Sequence, residues 1–259
     1  MELLEPTMLL VLALVAFVAG FIDAVAGGGG MLTVPALLSI GLPPHIALGT
    51  NKLAATFASS TAALTYYRKR LFKPKYWGRA FVCTLIGATL GTLFVDWIST
   101  EWLEKMLPLI ILAAAIYTIF HKTPTSNQDE LPASCSIFNR KQYIQGLTLG
   151  FYDGVAGPGT GAFWTVSSMA LYRLNILMAS GLAKAMNFTS NITSLVTFAL
   201  LGHIDWVLGF TMGLCLMAGA FVGAHSAIHF GAKFIRPVFV TVVSVLAIKL
   251  AYDAWFINL

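Results

Sequence analysis

The segment GFIDAVAGGGG at residues 20–30 sets the reading of this chain, because it returns as GFYDGVAGPGT at residues 150–160. Gly20, Phe21, Asp23, Val25, Ala26, Gly27 and Gly29 have counterparts in Gly150, Phe151, Asp153, Val155, Ala156, Gly157 and Gly159. Further along, Lys52 answers to Lys184, and Cys83, Gly87 and Gly91 to Cys215, Gly219 and Gly223; Pro108 answers to Pro237. So many matches in one order mark an internal duplication, which in membrane proteins is the trace of two structural repeats.

Composition names the solvent. Of 259 residues, 58% are apolar and 10% are charged, against about 25% charged in an ordinary soluble domain. A surface so poor in charge does not stay in water, which excludes soluble enzymes and nucleic-acid-binding modules and leaves a bilayer protein of about eight to ten membrane segments. The net charge of +5 is concentrated: Arg68, Lys69, Arg70, Lys73, Lys75 and Arg79 supply six of the 16 basic residues. Between apolar runs, such a cluster reads as a cytoplasmic loop rather than a nucleic-acid patch. Cys83, Cys135 and Cys215 form no CxxC pair and no disulfide framework. Glu2 and Glu5, with no basic residue before the first apolar run, lack the n-region of a secretory signal, so the first segment is expected to be retained.

Hydropathy predicts the same elements in each half. Spans fall near 7–26, 46–66, 77–97 and 102–120 in the first, with a short run at 31–41 after the glycines; the second has 142–156, 162–172, 177–201, 205–229 and 234–256. The run 31–41 is too short to cross the hydrocarbon core unkinked, so a re-entrant hairpin or a helix broken at mid-membrane is expected. The division is residues 1–120 as first repeat, 121–141 as a cytoplasmic linker and 142–259 as second repeat. Loop charge orients them. The basic loop 67–79 belongs inside, while its counterpart 202–205 carries no Lys or Arg. The loop 97–101, flanked by Asp96 and Glu101, belongs outside, while its counterpart 230–236 carries Lys233 and Arg236. Equivalent loops on opposite faces make the two copies inverted, with both termini external. The expected fold is therefore an all-α polytopic membrane protein of two inverted-topology repeats with broken or re-entrant helices, the architecture of alternating access.

The chemistry gathers at the breaks. Gly27, Gly28, Gly29 and Gly30 in an apolar segment leave backbone bare, tolerated in a bilayer only against protein or a water-filled cavity. The functional reading is that freed N–H groups and a half-helix N-terminus hold an anion, with Gly157 and Gly159 doing the same across Pro158; close helix packing is the alternative. Lys52 and Lys184 are natural countercharges for an anionic substrate. Asp23 and Asp153 serve as coupling or charge-pairing groups, or all four form structural salt bridges. Asn51 and Ser59 on one helix face, and Asn187 and Asn191 on another, would line a wet path or bond helix to helix. His225 and His229 stand one helical turn apart with no third ligand nearby, so no metal is expected. Gly87xxxGly91 and Gly219xxxGly223 read as packing faces, open to a dimer or used within the monomer. Trp77, Trp97, Trp102 and Trp206 read as an interfacial belt. No Walker A loop, Ser-His-Asp order, HExxH or GxSxG appears.

GFIDAVAGGGGMLTVPALLSIGLPPHIALGTNKL, with GFYDGVAGPGTGAFW and AKAMNFTSNI, resembles the TauE/SafE-type sulfite exporter family, also called toluene sulfonate uptake permeases, over essentially the whole chain. The GFIDxxAGGGG and TNKL signatures look like its YfcA branch. The resemblance implies a bacterial inner-membrane carrier of sulfur-containing or organic anions; with no nucleophile or metal set in the sequence, neither a cofactor nor enzymatic activity is expected. It carries the family's polar positions onto Asp23, Asn51, Lys52, Asp153 and Lys184. TNKL becomes LAKA in the second copy, so Ala183 stands where Asn51 does and the half-sites are not equivalent. The expected partners are a small anionic substrate and the lipid bilayer, with a homodimer open and no nucleic acid. The expected activity is secondary transport by alternating access, with an anion channel on the same repeat as the alternative.

Overall fold

The structure, a computed structural model, describes residues 6–120, 131–132, 135–231 and the single positions 234, 237 and 241. Its elements are α1 (Pro6–Ala26), α2 (Gly30–Ser39), α3 (Pro44–Arg68), α4 (Gly78–Asp96), α5 (Thr100–Phe120), α6 (Ser136–Val155), α7 (Thr160–Tyr172), α8 (Ile176–Leu200) and α9 (Trp206–Phe230). Local chemistry sets their ends. Pro44 opens α3, where its missing N–H is no loss. Asn175 and Asp205 cap α8 and α9 by accepting from Met178 N–H at 2.8 Å and Leu208 N–H at 3.0 Å. Cys135 caps α6, which therefore begins inside the stretch assigned to the linker. The span expected at 234–256, most of the linker 121–141, and Lys233 and Arg236 lie outside the described residues.

The expected interruptions are present. Gly27 takes φ +82°, Gly157 φ +88° and Gly159 φ +82°, a left-handed backbone that glycine adopts without steric cost. After the second break the chain doubles back, because Gln145 Nε2 donates to Ser167 Oγ at 2.7 Å and Lys141 Nζ to the Leu171 carbonyl at 2.9 Å. Helices α6 and α7 thus form a hairpin.

Three helices are long and apolar enough to cross a membrane among the described residues, at Leu9–Ala26, Gly78–Asp96 and Trp206–Phe230. Their outward faces carry exposed Leu10, Leu14, Val82, Leu90, Val207 and Phe221, while Thr50, Lys52, Ser59, Lys184 and Ser190 are buried. In water each such exposed side chain would forfeit about 1.5–3 kcal/mol of burial; against lipid it forfeits nothing. Among the described residues every element is a helix, and the exposed apolar faces are those of a membrane protein.

The most extensive packing runs between the halves: α4 lies on α6, α1 on α9, and α3 on both α9 and α8. A Cβ on Gly87 or Gly91 would collide with α6 backbone at Leu147 and Phe151, and one on Gly219 or Gly223 with α1 backbone at Phe17 and Phe21. These glycine faces are spent on close backbone approach within the chain. Each contact has its counterpart when the halves are exchanged.

Loops expected on one side meet at one end. His203 Nε2 lies 2.8 Å from Asp96 Oδ1, His45 Nε2 lies 3.1 Å from the Val95 carbonyl, and Asp205 N–H donates to Thr50 Oγ1 at 2.9 Å. At the other end Arg79 donates to Asn139 Oδ1 at 2.6 Å, and Tyr76 donates to the Pro132 carbonyl. One aromatic expectation is corrected here. Trp97, Trp102 and Trp206 are 85%, 65% and 50% exposed, as a belt requires, but Trp77 is 1% exposed. The loop turns its ring inward between Tyr172, 4.9 Å away, and Phe138, 5.4 Å away.

Candidate functional site

The four intramembrane charges pair crosswise between the halves. Lys52 Nζ on α3 lies 2.7 Å from Asp153 Oδ1 on α6, and donates to the Asp153 carbonyl at 2.5 Å and Asn191 Oδ1 at 3.3 Å. All three of its donors are thereby engaged. Asp153 Oδ2 accepts from the Ser190 hydroxyl. On the other side Lys184 Nζ on α8 donates to the Asp23 carbonyl, with Asp23 Oδ2 3.7 Å away, while Asp23 Oδ1 accepts from Gly29 N–H at 3.3 Å. Both lysine side chains are 1% exposed, Asp153 4% and Asp23 15%. An unpaired charge at such depth costs several kcal/mol, which is why each ammonium sits on a carboxylate.

The two breaks touch. A Cβ on Gly161, at the start of α7, would stand 2.6 Å from Gly27 Cα and 2.8 Å from Asn187 Nδ2, and one on Gly30 would stand 3.4 Å from Pro158 Cα. Between them lies a cavity whose volume open to a water molecule's centre is about 30 Å³, enough for one or two waters. Asp23, Gly27, Gly29, Gly30, Thr33, Asn51, Lys52, Asp153, Gly157, Asn187 and Asn191 wall it. Thr33 Oγ1 donates to Asn51 Oδ1 at 2.5 Å. Asn187 Oδ1 is buried with no hydrogen-bond partner, an acceptor or, with the amide turned over, a donor pair facing the space.

Ten of the residues singled out from sequence therefore share one cavity: Asp23, Gly27, Gly29, Gly30, Asn51, Lys52, Asp153, Gly157, Asn187 and Asn191. Lys184 stands behind Asp23. Ser59 stands behind Asn191, whose Nδ2 donates to its Oγ at 3.4 Å. Gly28 has only Ile22 Cγ2 within reach of a Cβ, 3.9 Å away, and Gly159 abuts Met31 instead of the cavity. Two amides of the first break are not bare: Gly29 N–H is held by the Asp23 carboxylate at 3.3 Å and Gly27 N–H by the Asp23 carbonyl at 2.8 Å. Thr33 was not foreseen as part of the wall. Its signal was faint: it is the one polar side chain between Gly30 and the end of α2 at Ser39.

Chemically, the arrangement is a pair of carboxylates occupying cationic, hydroxyl and amide donors beside a small polar cavity. His225 bonds the Phe221 carbonyl of its own helix at 2.8 Å, remote from this site.

Comparison with known proteins now bears on the chain as a whole. The family described as "Sulfite exporter TauE/SafE" matches residues 12–250. A "Probable membrane transporter protein" of Haemophilus influenzae is 40% identical over 258 residues, covering 96% of this chain and 97% of the relative. One from Sinorhizobium sp, ORF9, is 39% identical over 238 residues, covering 92% and 90%. The "Probable membrane transporter protein YfcA" of Escherichia coli K12 is 35% identical over 258 residues, covering 97% and 93%. No solved structure matches the chain. With matches of this extent, and with the doubled glycine motif folded into a shared cavity, the chain belongs to the TauE/SafE sulfite exporter family of membrane transporters.

Proposed function

We propose that this transporter carries a small oxyanion across the bacterial inner membrane by alternating access, binding it where the two helix breaks meet. One observation carries the reading: Lys52–Asp153 and Lys184–Asp23 cross between the halves at a cavity walled by both breaks. A substrate carboxylate, sulfite or sulfonate would replace an internal carboxylate on its ammonium and amide donors, so binding and the opening of a cross-half contact become one event. The reciprocal contacts of α1 with α9 and α4 with α6 support two inverted repeats able to exchange conformations. The grouping of loops 97–101 and 202–205 at one end, opposite the basic loop, supports the external and cytoplasmic sides assigned to them. A cavity of about 30 Å³ favours a carrier caught with its site closed over an open pore.

Sulfur oxyanions and organic sulfonates are the substrate class the family name suggests. The deciding assay uses purified protein in proteoliposomes loaded with sulfite, thiosulfate, an alkyl sulfonate or a carboxylate. The expected result is saturable counterflow of one of them, abolished in Lys184→Ala protein that still inserts and folds. Unsaturable current, or full counterflow by that variant, would overturn the proposal.

A further inference from the structure

The basic loop is more than a run of positive charge. Helix α3 stops at Arg68, and the chain reverses with Arg70 at φ +57°. Arg70 N–H donates to the Tyr67 carbonyl at 2.8 Å and Leu71 N–H to the Tyr66 carbonyl at 3.2 Å. Glycine is the usual residue at such a helix stop, because a side chain there strains the backbone. Here a guanidinium is held at that corner instead.

The reversal frames a cavity of about 620 Å³, lined by Tyr67, Arg68, Arg70, Phe72, Lys73 and Lys75 among others. Its floor is aromatic: Phe72 is 7% exposed and its ring stands 5.7 Å from that of Tyr67. No carboxylate of the described residues lies within ion-pair distance of Arg68, Arg70, Lys73 or Lys75. Four like charges around one hollow repel one another, and an anion that enters is attracted by all four while offsetting their mutual repulsion.

The same hollow opens onto lipid-facing surface. Leu64 and Tyr67, three residues apart and so on one face of α3, are each 49% exposed. A soluble anion would make no use of that apolar approach; an acyl chain would. The geometry points to this pocket as a binding site for the headgroup of an anionic phospholipid, with phosphate among the cations and chains along Leu64 and Tyr67. The site is separate from the cavity at the helix breaks and stands whether or not an anion is transported there.

The test is native mass spectrometry, with thermal unfolding alongside, on the full chain in neutral detergent at fixed ionic strength. The probes are phosphatidylglycerol, cardiolipin, phosphatidylcholine and inorganic phosphate. The anionic lipids are expected to remain bound and to raise the unfolding temperature, while phosphatidylcholine and phosphate do neither. Arg70→Gln/Lys73→Gln protein should retain anionic lipid about tenfold less, without losing its lipid-free unfolding temperature. Lys105→Gln, which removes a charge on α5, should retain it fully. If the double variant does not fold, Lys75→Gln at an exposed position carries the test with a smaller loss. Equal retention of phosphatidylglycerol and phosphatidylcholine, or undiminished retention in the variants that fold, overturns the assignment. So does stabilisation by inorganic phosphate equal to that by lipid, which would make the pocket a soluble-phosphate site.

Discussion

The two Lys–Asp pairs use matching positions of two similar segments, yet they are built differently. Lys52 meets Asp153 at 2.7 Å inside a closed set of donors, with Asn191 and the Asp153 carbonyl filling its remaining bonds and Ser190 holding the second carboxylate oxygen. Lys184 stands 3.7 Å from Asp23 Oδ2, beyond hydrogen-bond range, and Asp23 is 15% exposed and shared with the Gly29 amide. The first pair is a clasp. The second is a loose ion pair beside a helix break. A proposed substrate would therefore displace Asp23 from Lys184 more cheaply than Asp153 from Lys52, so that one cross-half pair would hold and the other yield.

The largest expected effect follows from that division. Lys52→Ala strands Asp153 in the core and should lower stability by about 3–5 kcal/mol, the usual consequence of breaking a buried pair. Lys184→Ala leaves Asp23 partly wet and amide-bound, and should cost about 1–3 kcal/mol. Thermal or denaturant unfolding of both variants in one detergent measures the difference, and equal losses would erase the contrast between clasp and loose pair. Lys52→Met/Asp153→Leu removes both charges and should recover much of the stability lost in Lys52→Ala, while flux in proteoliposomes stays absent.

Next come the breaks. Gly27→Ala forces a side chain into φ +82° against Gly161 backbone, at about 1–2 kcal/mol for the conformation and about 1–3 more for overpacking. Gly28→Ala, with a single contact at 3.9 Å, should stay within about 0.5 kcal/mol of wild type. If the neighbouring substitutions prove equally harmful, the tetraglycine run matters for flexibility in general and not for the one contact where the halves touch.

A smaller effect separates the hydroxyl supports. Ser190→Ala leaves Asp153 Oδ2 without its donor and should cost about 1–3 kcal/mol. Smaller than the loss of Ser190 is the effect of Asn51→Ala, which copies the Ala183 of the second half and removes a side-chain acceptor of Thr33. It should cost about 1 kcal/mol in unfolding, and its proposed signature is weaker apparent substrate affinity in flux assays. Flux kinetics identical to wild type would mean that the side-chain difference between Asn51 and Ala183 has no bearing on the unequal half-sites.

Much of this was legible in residues 20–30 and 150–160. Repetition of the glycine motif pointed to both breaks, because glycine takes the left-handed backbone found at Gly27, Gly157 and Gly159 without steric cost. Buried Lys and Asp were conspicuous for a related reason: few charges enter lipid without a task. Thr33 was not legible, since a lone threonine in an apolar helix has the same signature whether it faces a cavity or bonds its own backbone. Trp77 was misplaced, because proximity to a span end does not say which way a loop turns its ring.

Sequence alone determined the membrane class and the residues that break the helices, since both depend on local hydropathy and backbone sterics. Which Asp meets which Lys was decided only in three dimensions. Residues more than a hundred positions apart come together through the packing of α3 on α8, α4 on α6 and α1 on α9, and no local rule records that pairing. The different reach of the two Lys–Asp pairs, 2.7 Å against 3.7 Å, is likewise tertiary, because the letters Lys and Asp are the same in both.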